Sequence, residues 1–150
     1  MINVANYTIM LVEDDPNDVF LIQRAFGKAN LINPIQVVKD GEAAMLYLSG
    51  REPYADRDRY PLPILILLDL KLPRRSGLEV LEWLKQEPKL KRVPVVVLTS
   101  SREHTDLDRA YDLGANSYLV KPVAFDALLN IVKTLNQYWL IVNERPNLQS

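Results

Sequence analysis

The chain has 150 residues, 48% apolar and 25% charged, the balance of one globular domain long enough to bury a core. Its 18 basic and 19 acidic residues leave a net charge of −1, which excludes the basic field needed for nucleic acid or an anionic membrane surface. With no cysteine and one histidine, His104, disulfides, thiol catalysis and histidine or cysteine metal clusters are excluded too.

The first residues, 1–6, lack a basic-then-apolar signal pattern, and no apolar run reaches spanning length, so a cytoplasmic protein is expected. Tyr7–Val12 reads as a strand that ends in three acids, Glu13, Asp14 and Asp15. Asp15 and Pro16 look like an N-cap followed by proline at the first helical position, opening a helix that fades near Gly27 and Asn30. Ile35–Val38 is a short second strand, and Asp40 opens a helix that closes at Gly50. The charged, proline-punctuated stretch 51–63 reads as a solvated surface loop.

Ile64 to Leu68 is an apolar run that stops abruptly at Asp69. It is too short for a membrane span and shows no one-sided period, so it reads as a strand buried on both faces. Leu78, Leu81 and Leu84 then mark one face of a third helix, ended by Pro88. Val93–Leu98 is the fourth strand, ending at Thr99, and a fourth helix runs from about Glu103 to Leu113 before Gly114. Asn116–Val120 is the fifth strand, ending at Lys121 and Pro122, and the last helix runs from about Phe125 to Val142. Residues 143–150 read as a loose tail, so one domain is expected over 1–150 with its core at about 7–142.

Strands and helices alternating in short units predict an α/β fold, a doubly wound five-stranded parallel sheet with helices on both faces. In the strand order 2-1-3-4-5, strands one and three flank the topological switch point, which gathers Glu13, Asp14 and Asp69 in one crevice. Thr99 and Lys121 end the next two strands on the same edge.

Two bare carboxylates about 4 Å apart repel by about 4 kcal/mol at an effective dielectric of 20, so the crevice calls for a cation. Magnesium suits oxygen ligands and tolerates one or two carboxylates with phosphate and water. A carboxylate can also attack phosphorus, and phosphoryl transfer then needs mainly positioning and positive charge on the equatorial oxygens. Asp14 and Asp69 are candidates to hold the ion with Glu13 beside it. Asp69 is the candidate acceptor, with the Thr99 hydroxyl and the Lys121 ammonium on phosphoryl oxygens.

The acid pair after Leu11-Val12, the segment Leu67-Leu68-Asp69-Leu70-Lys71-Leu72-Pro73 with Gly77, the Leu98-Thr99-Ser100 run and Tyr118-Leu119-Val120-Lys121-Pro122 together resemble the receiver domain of two-component response regulators, a flavodoxin-like fold. The likeness covers residues 7 to 142. It implies that Asp69 is the phosphoacceptor and that magnesium is held by Asp14, Asp69 and the Lys71 backbone carbonyl, with Glu13 acting through water. It also implies that Thr99 and Tyr118 form a switch pair, that Lys121 contacts the phosphoryl group, and that the Lys121–Pro122 peptide is cis.

The long loop before strand three, the stretch Leu84 to Pro94 and the Tyr138-Trp139-Leu140 run are similar to single-domain response regulators that partner cyanobacterial phytochromes. That likeness implies a sensor histidine kinase as partner, a downstream protein, and a homodimer. The wide apolar surface of the last helix, where Ala127, Ile131, Tyr138 and Ile141 lie beside the sheet-facing stripe, places the dimer on helix four, strand five and helix five.

Other readings fit less well. A phosphatase of the haloacid dehalogenase type needs an aspartate two residues after the nucleophile, where this chain has Lys71. A flavodoxin-like binding module would want a phosphate-cradling loop rich in hydroxyls and glycine after strand one, where Glu13, Asp14 and Asp15 would repel phosphate. The chain is therefore expected to be a signalling protein and not a conventional enzyme, without a DNA-binding output domain. A receiver-like module whose output does not depend on phosphorylation is the alternative.

Overall fold

The computed structural model describes residues 7–142 and residue 146, the last three of that first run by their backbone. The strands are β1 (Ile9–Val12), β2 (Ile35–Val38), β3 (Leu65–Leu68), β4 (Val95–Thr99) and β5 (Ser117–Val120). Between and after them run α1 (Pro16–Lys28), α2 (Gly41–Ser49), α3 (Gly77–Gln86), α4 (His104–Asp112) and α5 (Phe125–Leu135), the last continued by a π-helical segment, Asn136–Val142. All pairings are parallel, in the order β2-β1-β3-β4-β5. This is the predicted doubly wound fold.

Strand alternation divides the core. Met10, Val12, Ile66, Leu68, Val95 and Val97 turn to one face, where Tyr47 and Leu48 of α2, Leu81 and Leu84 of α3 and Ala110 of α4 cover them. Ile9, Leu11, Leu65, Leu67, Val96 and Leu98 turn to the other, covered by Ile22 and Phe26 of α1 and Leu128, Val132 and Leu135 of α5. The four residues of β3 are at most 1% exposed, so this strand is the middle of both layers. Fully burying each such side chain stabilises the fold by about 2 kcal/mol.

Local chemistry sets the helix ends. Asp15 accepts from the Asn17 N–H with proline at the first turn of α1, and Asp40 accepts from the Ala43 N–H at 2.7 Å to start α2. Ser76 and Glu79 make a reciprocal capping box at α3. Gly50 closes α2 at φ 69°, a left-handed position where a side chain would be strained.

The stretch 51–63 is the expected surface loop, with most of its residues exposed, but Arg57 and two of its tyrosines also tie it onto α2. Arg57 Nη1 donates to the Tyr47 carbonyl at 2.8 Å and Nη2 to the Leu48 carbonyl at 2.9 Å, which ties off the last carbonyls of α2. Tyr47, Tyr54 and Tyr60 form a tilted and edge-on cluster with centroids 5.1–5.7 Å apart. The Tyr47 hydroxyl donates to the Pro61 carbonyl, and burial pushes its pKa up to about 12. The segment is a packed strap over α2.

The last helix differs from a single span to Val142. It is α-helical only to Leu135, and its wider continuation carries Tyr138 against Trp139 at 5.0 Å. Side chains of Ile141 and Val142, and the expected tail apart from residue 146, lie outside the described residues. Among those residues, no helix is long and apolar enough to cross a membrane.

Candidate functional site

Each residue of the expected crevice stands at the carboxyl edge of the sheet for a local reason. The Glu13 N–H continues the ladder to the Val38 carbonyl at 3.0 Å, and the Asp69 N–H continues it to Val12 at 3.1 Å. Both acids are therefore held by strand geometry just past β1 and β3. The Lys121 N–H bonds the Thr99 carbonyl at 2.8 Å, so β4 and β5 end together beside them.

Carboxylate oxygens of Glu13, Asp14 and Asp69 lie within 4.8 Å of one another. Glu13 is 1% and Asp69 7% exposed, whereas Asp14 opens to solvent. Such a set of hard oxygen donors, mixing buried and open positions, fits a divalent cation that retains water. Lys121 Nζ reaches the cluster, donating to Glu13 Oε1 and, at 2.9 Å each, to Asp69 Oδ2 and Asp18 Oδ2. The Lys71 side chain is exposed, and its N–H points to Asp69 Oδ1 at 3.4 Å.

Electrostatics follow from this packing. Burial pushes the Glu13 carboxyl up to about 7, the Lys121 hydrogen bond opposing the shift and the Asp69 charge adding to it. Burial alone would lower the Lys121 ammonium, but its bonds to Glu13, Asp18 and Asp69 outweigh burial and raise its pKa above the usual lysine range.

Thr99 is fully buried, and its Oγ1 accepts from the Ser101 N–H at 3.4 Å. The Tyr118 hydroxyl donates to the Ser101 carbonyl at 3.1 Å. The two residues are thus joined through Ser101 and not directly. Ser101 Oγ also donates to Asp106 Oδ2 at 2.6 Å and accepts from the Glu103 N–H at 3.3 Å, tying the start of α4 to the end of β4.

One expectation is overturned. Glu52–Pro53 is the cis peptide among the described residues, so Lys121–Pro122 is trans. The lysine still enters the crevice, because its four-carbon stem and three acid partners are sufficient to aim the ammonium. Sequence reasoning does not single out Asp18 or Ser101. Asp18 carries a faint signal, four residues after Asp14 and in the first turn of a helix that starts at the sheet edge. Ser101 has none beyond following Thr99.

Residues 9–133 match the family profile of the response regulator receiver domain. The chain belongs to that family. The receiver is 41% identical over 140 residues to the probable methanogenesis regulatory protein FilR2 of Methanothrix harundinacea, covering 93% of this chain and 88% of the relative. It is 40% identical over 132 residues to response regulator Rcp1 of a Synechocystis species, covering 88% of each. Among solved structures, the phosphorylated cyanobacterial phytochrome response regulator RcpA superposes with a TM-score of 0.88 at 40% identity, over 95% of this chain and 99% of that one. The Mn(2+)-bound form of Rcp1 gives a TM-score of 0.84 at 38% identity, over 94% and 99%. This receiver is thus related to phytochrome response regulators, and a relative's structure holds a divalent metal.

Proposed function

We propose that this receiver takes a phosphoryl group onto Asp69 from a sensor histidine kinase, of the phytochrome kind, and signals by protein contacts as a single domain in the cytoplasm. The observation that carries the reading is the Lys121 ammonium set on Asp69 Oδ2 at 2.9 Å, inside a cluster of three carboxylates. In the transfer, an Asp69 oxygen attacks phosphorus, the bond from phosphorus to the donor's histidine nitrogen breaks, and an acyl phosphate forms. Lys121 exchanges its Asp69 partner for a phosphoryl oxygen, and the Thr99 hydroxyl donates to another. Asp14, Asp69 and the Lys71 carbonyl would hold magnesium directly, with Glu13 through water. The ion supplies positive charge where phosphoryl oxygens gather. Filling the crevice changes the demand on the Thr99 hydroxyl, and Ser101 passes that change to Tyr118 and α4.

The test is incubation with acetyl phosphate, followed by intact-mass spectrometry. Wild type gains one phosphoryl group, stable to acid and labile to hydroxylamine, only with magnesium, and Asp69→Asn gains none. A wild type that takes up nothing but still binds partners favours the phosphorylation-independent module.

Magnesium affinity is expected to depend on pH. A proton held on Glu13 up to about pH 7 removes one negative charge from the cluster, so affinity falls as pH drops from 8 to 6. Calorimetric titration at several pH values checks this; a flat profile contradicts it.

We further propose a homodimer through α4, β5 and α5. Tyr111 of α4, at 48% exposure, and Tyr138 of the segment that continues α5, at 54%, are exposed large apolar groups on those elements, and one symmetric patch would serve both copies. Ile131, expected beside them, packs partly against the core, so Tyr138 is the cleaner probe. Tyr138→Glu is expected to give a folded monomer that still accepts phosphate. Sedimentation at micromolar concentration decides it; a monomeric wild type, phosphorylated or not, ends the idea.

A further inference from the structure

We propose that Asp18 is a positioning residue for phosphoryl transfer, holding the Lys121 ammonium over the crevice from the side of α1. The inference deepens the proposed function and rests on it. An ammonium has three N–H donors, and here each meets a different carboxylate: Glu13, Asp18 and Asp69. Glu13 and Asp69 belong to the three-acid cluster; Asp18 does not. The donor now on Asp69 Oδ2 is the one that must pass to a phosphoryl oxygen. Glu13 and Asp18 keep the other two, and with them the direction of the third.

One anchor would not fix that direction. Lysine ends in a flexible four-carbon stem, and a single hydrogen bond leaves its ammonium free to swing about the contact. Asp18 supplies a second anchor from a separate element with its own rigid seat. The Asp15 carboxylate accepts from the Asn17 N–H at 2.9 Å and the Asp15 carbonyl from the Val19 N–H at 3.0 Å, with Pro16 at the first helical position. This locks the turn that carries Asp18. An acid in that turn also suits the positive end of α1. An exposed ion pair without consequence is the competing account, since such pairs contribute little. Asp18 differs in sharing its cation with two buried acids of the site.

A double-mutant cycle on the rate of phosphoryl uptake from acetyl phosphate with magnesium separates the two. Asp18→Ala is expected to slow uptake roughly tenfold, because a misplaced group near the reacting atoms costs rate steeply. Asp18→Asn keeps an acceptor in place and is expected to recover about half of that loss on a logarithmic scale. In a Lys121→Ala background, Asp18→Ala should have no further effect. Equal slowing in both backgrounds, or no slowing in either, overturns the inference. If uptake by Lys121→Ala is too slow to time, calorimetric affinity for beryllofluoride in the same four proteins completes the cycle by the same criteria. Failure of the underlying function looks different: wild type then takes up no phosphate, or Asp69→Asn still does.

Discussion

Gly77→Ala is expected to destabilise the domain by about 3 kcal/mol, a large effect for one methyl group. A Cβ built at Gly77 would lie 2.1 Å from the Asp69 carbonyl oxygen and 2.7 Å from Leu70 Cα, both backbone atoms with no rotamer to give way. Gly77 also donates its N–H to the Leu70 carbonyl at 2.8 Å, directly after the Ser76 cap. The close approach is what lets α3 start against the loop that leaves Asp69. An added methyl must push the helix start and the Asp69 backbone apart, so uptake of phosphate should suffer together with stability. Gly27→Ala is the control, because nothing lies within 4 Å of its Cβ position inside α1. It should be neutral or stabilising by up to about 1 kcal/mol. Urea unfolding of the three proteins checks this; a Gly77→Ala midpoint equal to wild type contradicts the packing described.

Lys121→Met is expected to slow phosphoryl uptake about 100-fold or more, the usual scale for losing one preorganised donor to a developing anion. Its effect on stability should depend on pH, and the sign follows from Glu13. Burial raises the folded carboxyl to about 7, with the Lys121 bond holding it down from a higher value. A folded pKa above the unfolded one means stability falls as pH rises between the two, by at most about 1.4 kcal/mol per pH unit. In wild type this decline stops near pH 7; without Lys121 it continues to higher pH. The gap between the two proteins should therefore stay constant from pH 5 to about 6 and widen from about pH 7 to pH 8. Denaturation at each pH measures it, and a gap independent of pH contradicts the pairing.

The element order was legible because helix caps and strand ends carry strong local signals. Asp15 with Pro16, Asp40 and Gly50 mark element ends by chemistry that operates within a few residues. The apolar run before Asp69 could be nothing but a buried strand in so short a unit, and its topology then brought Glu13, Asp14 and Asp69 together. Features that depend on distant partners were not legible. Arg57 looks like any loop arginine until the α2 carbonyls it serves are known. Asp18 reads as an ordinary first-turn acid, since its partner lies more than a hundred residues away. The Lys121–Pro122 isomer rests on a difference of about 0.5–1 kcal/mol, which packing decides and sequence does not. The π-helical turn after Leu135 shares its composition with α-helix, so no residue announces it.

The most direct test of the central claim is to locate the phosphoryl group. Wild type is phosphorylated with acetyl phosphate and magnesium, reduced with borohydride, digested and sequenced by tandem mass spectrometry. Reduction of an acyl phosphate leaves homoserine in place of aspartate, and the account predicts it at position 69 and nowhere else. Homoserine at position 14, or a stable phosphate on Thr99 or Ser100 with Asp69 unchanged, would contradict it.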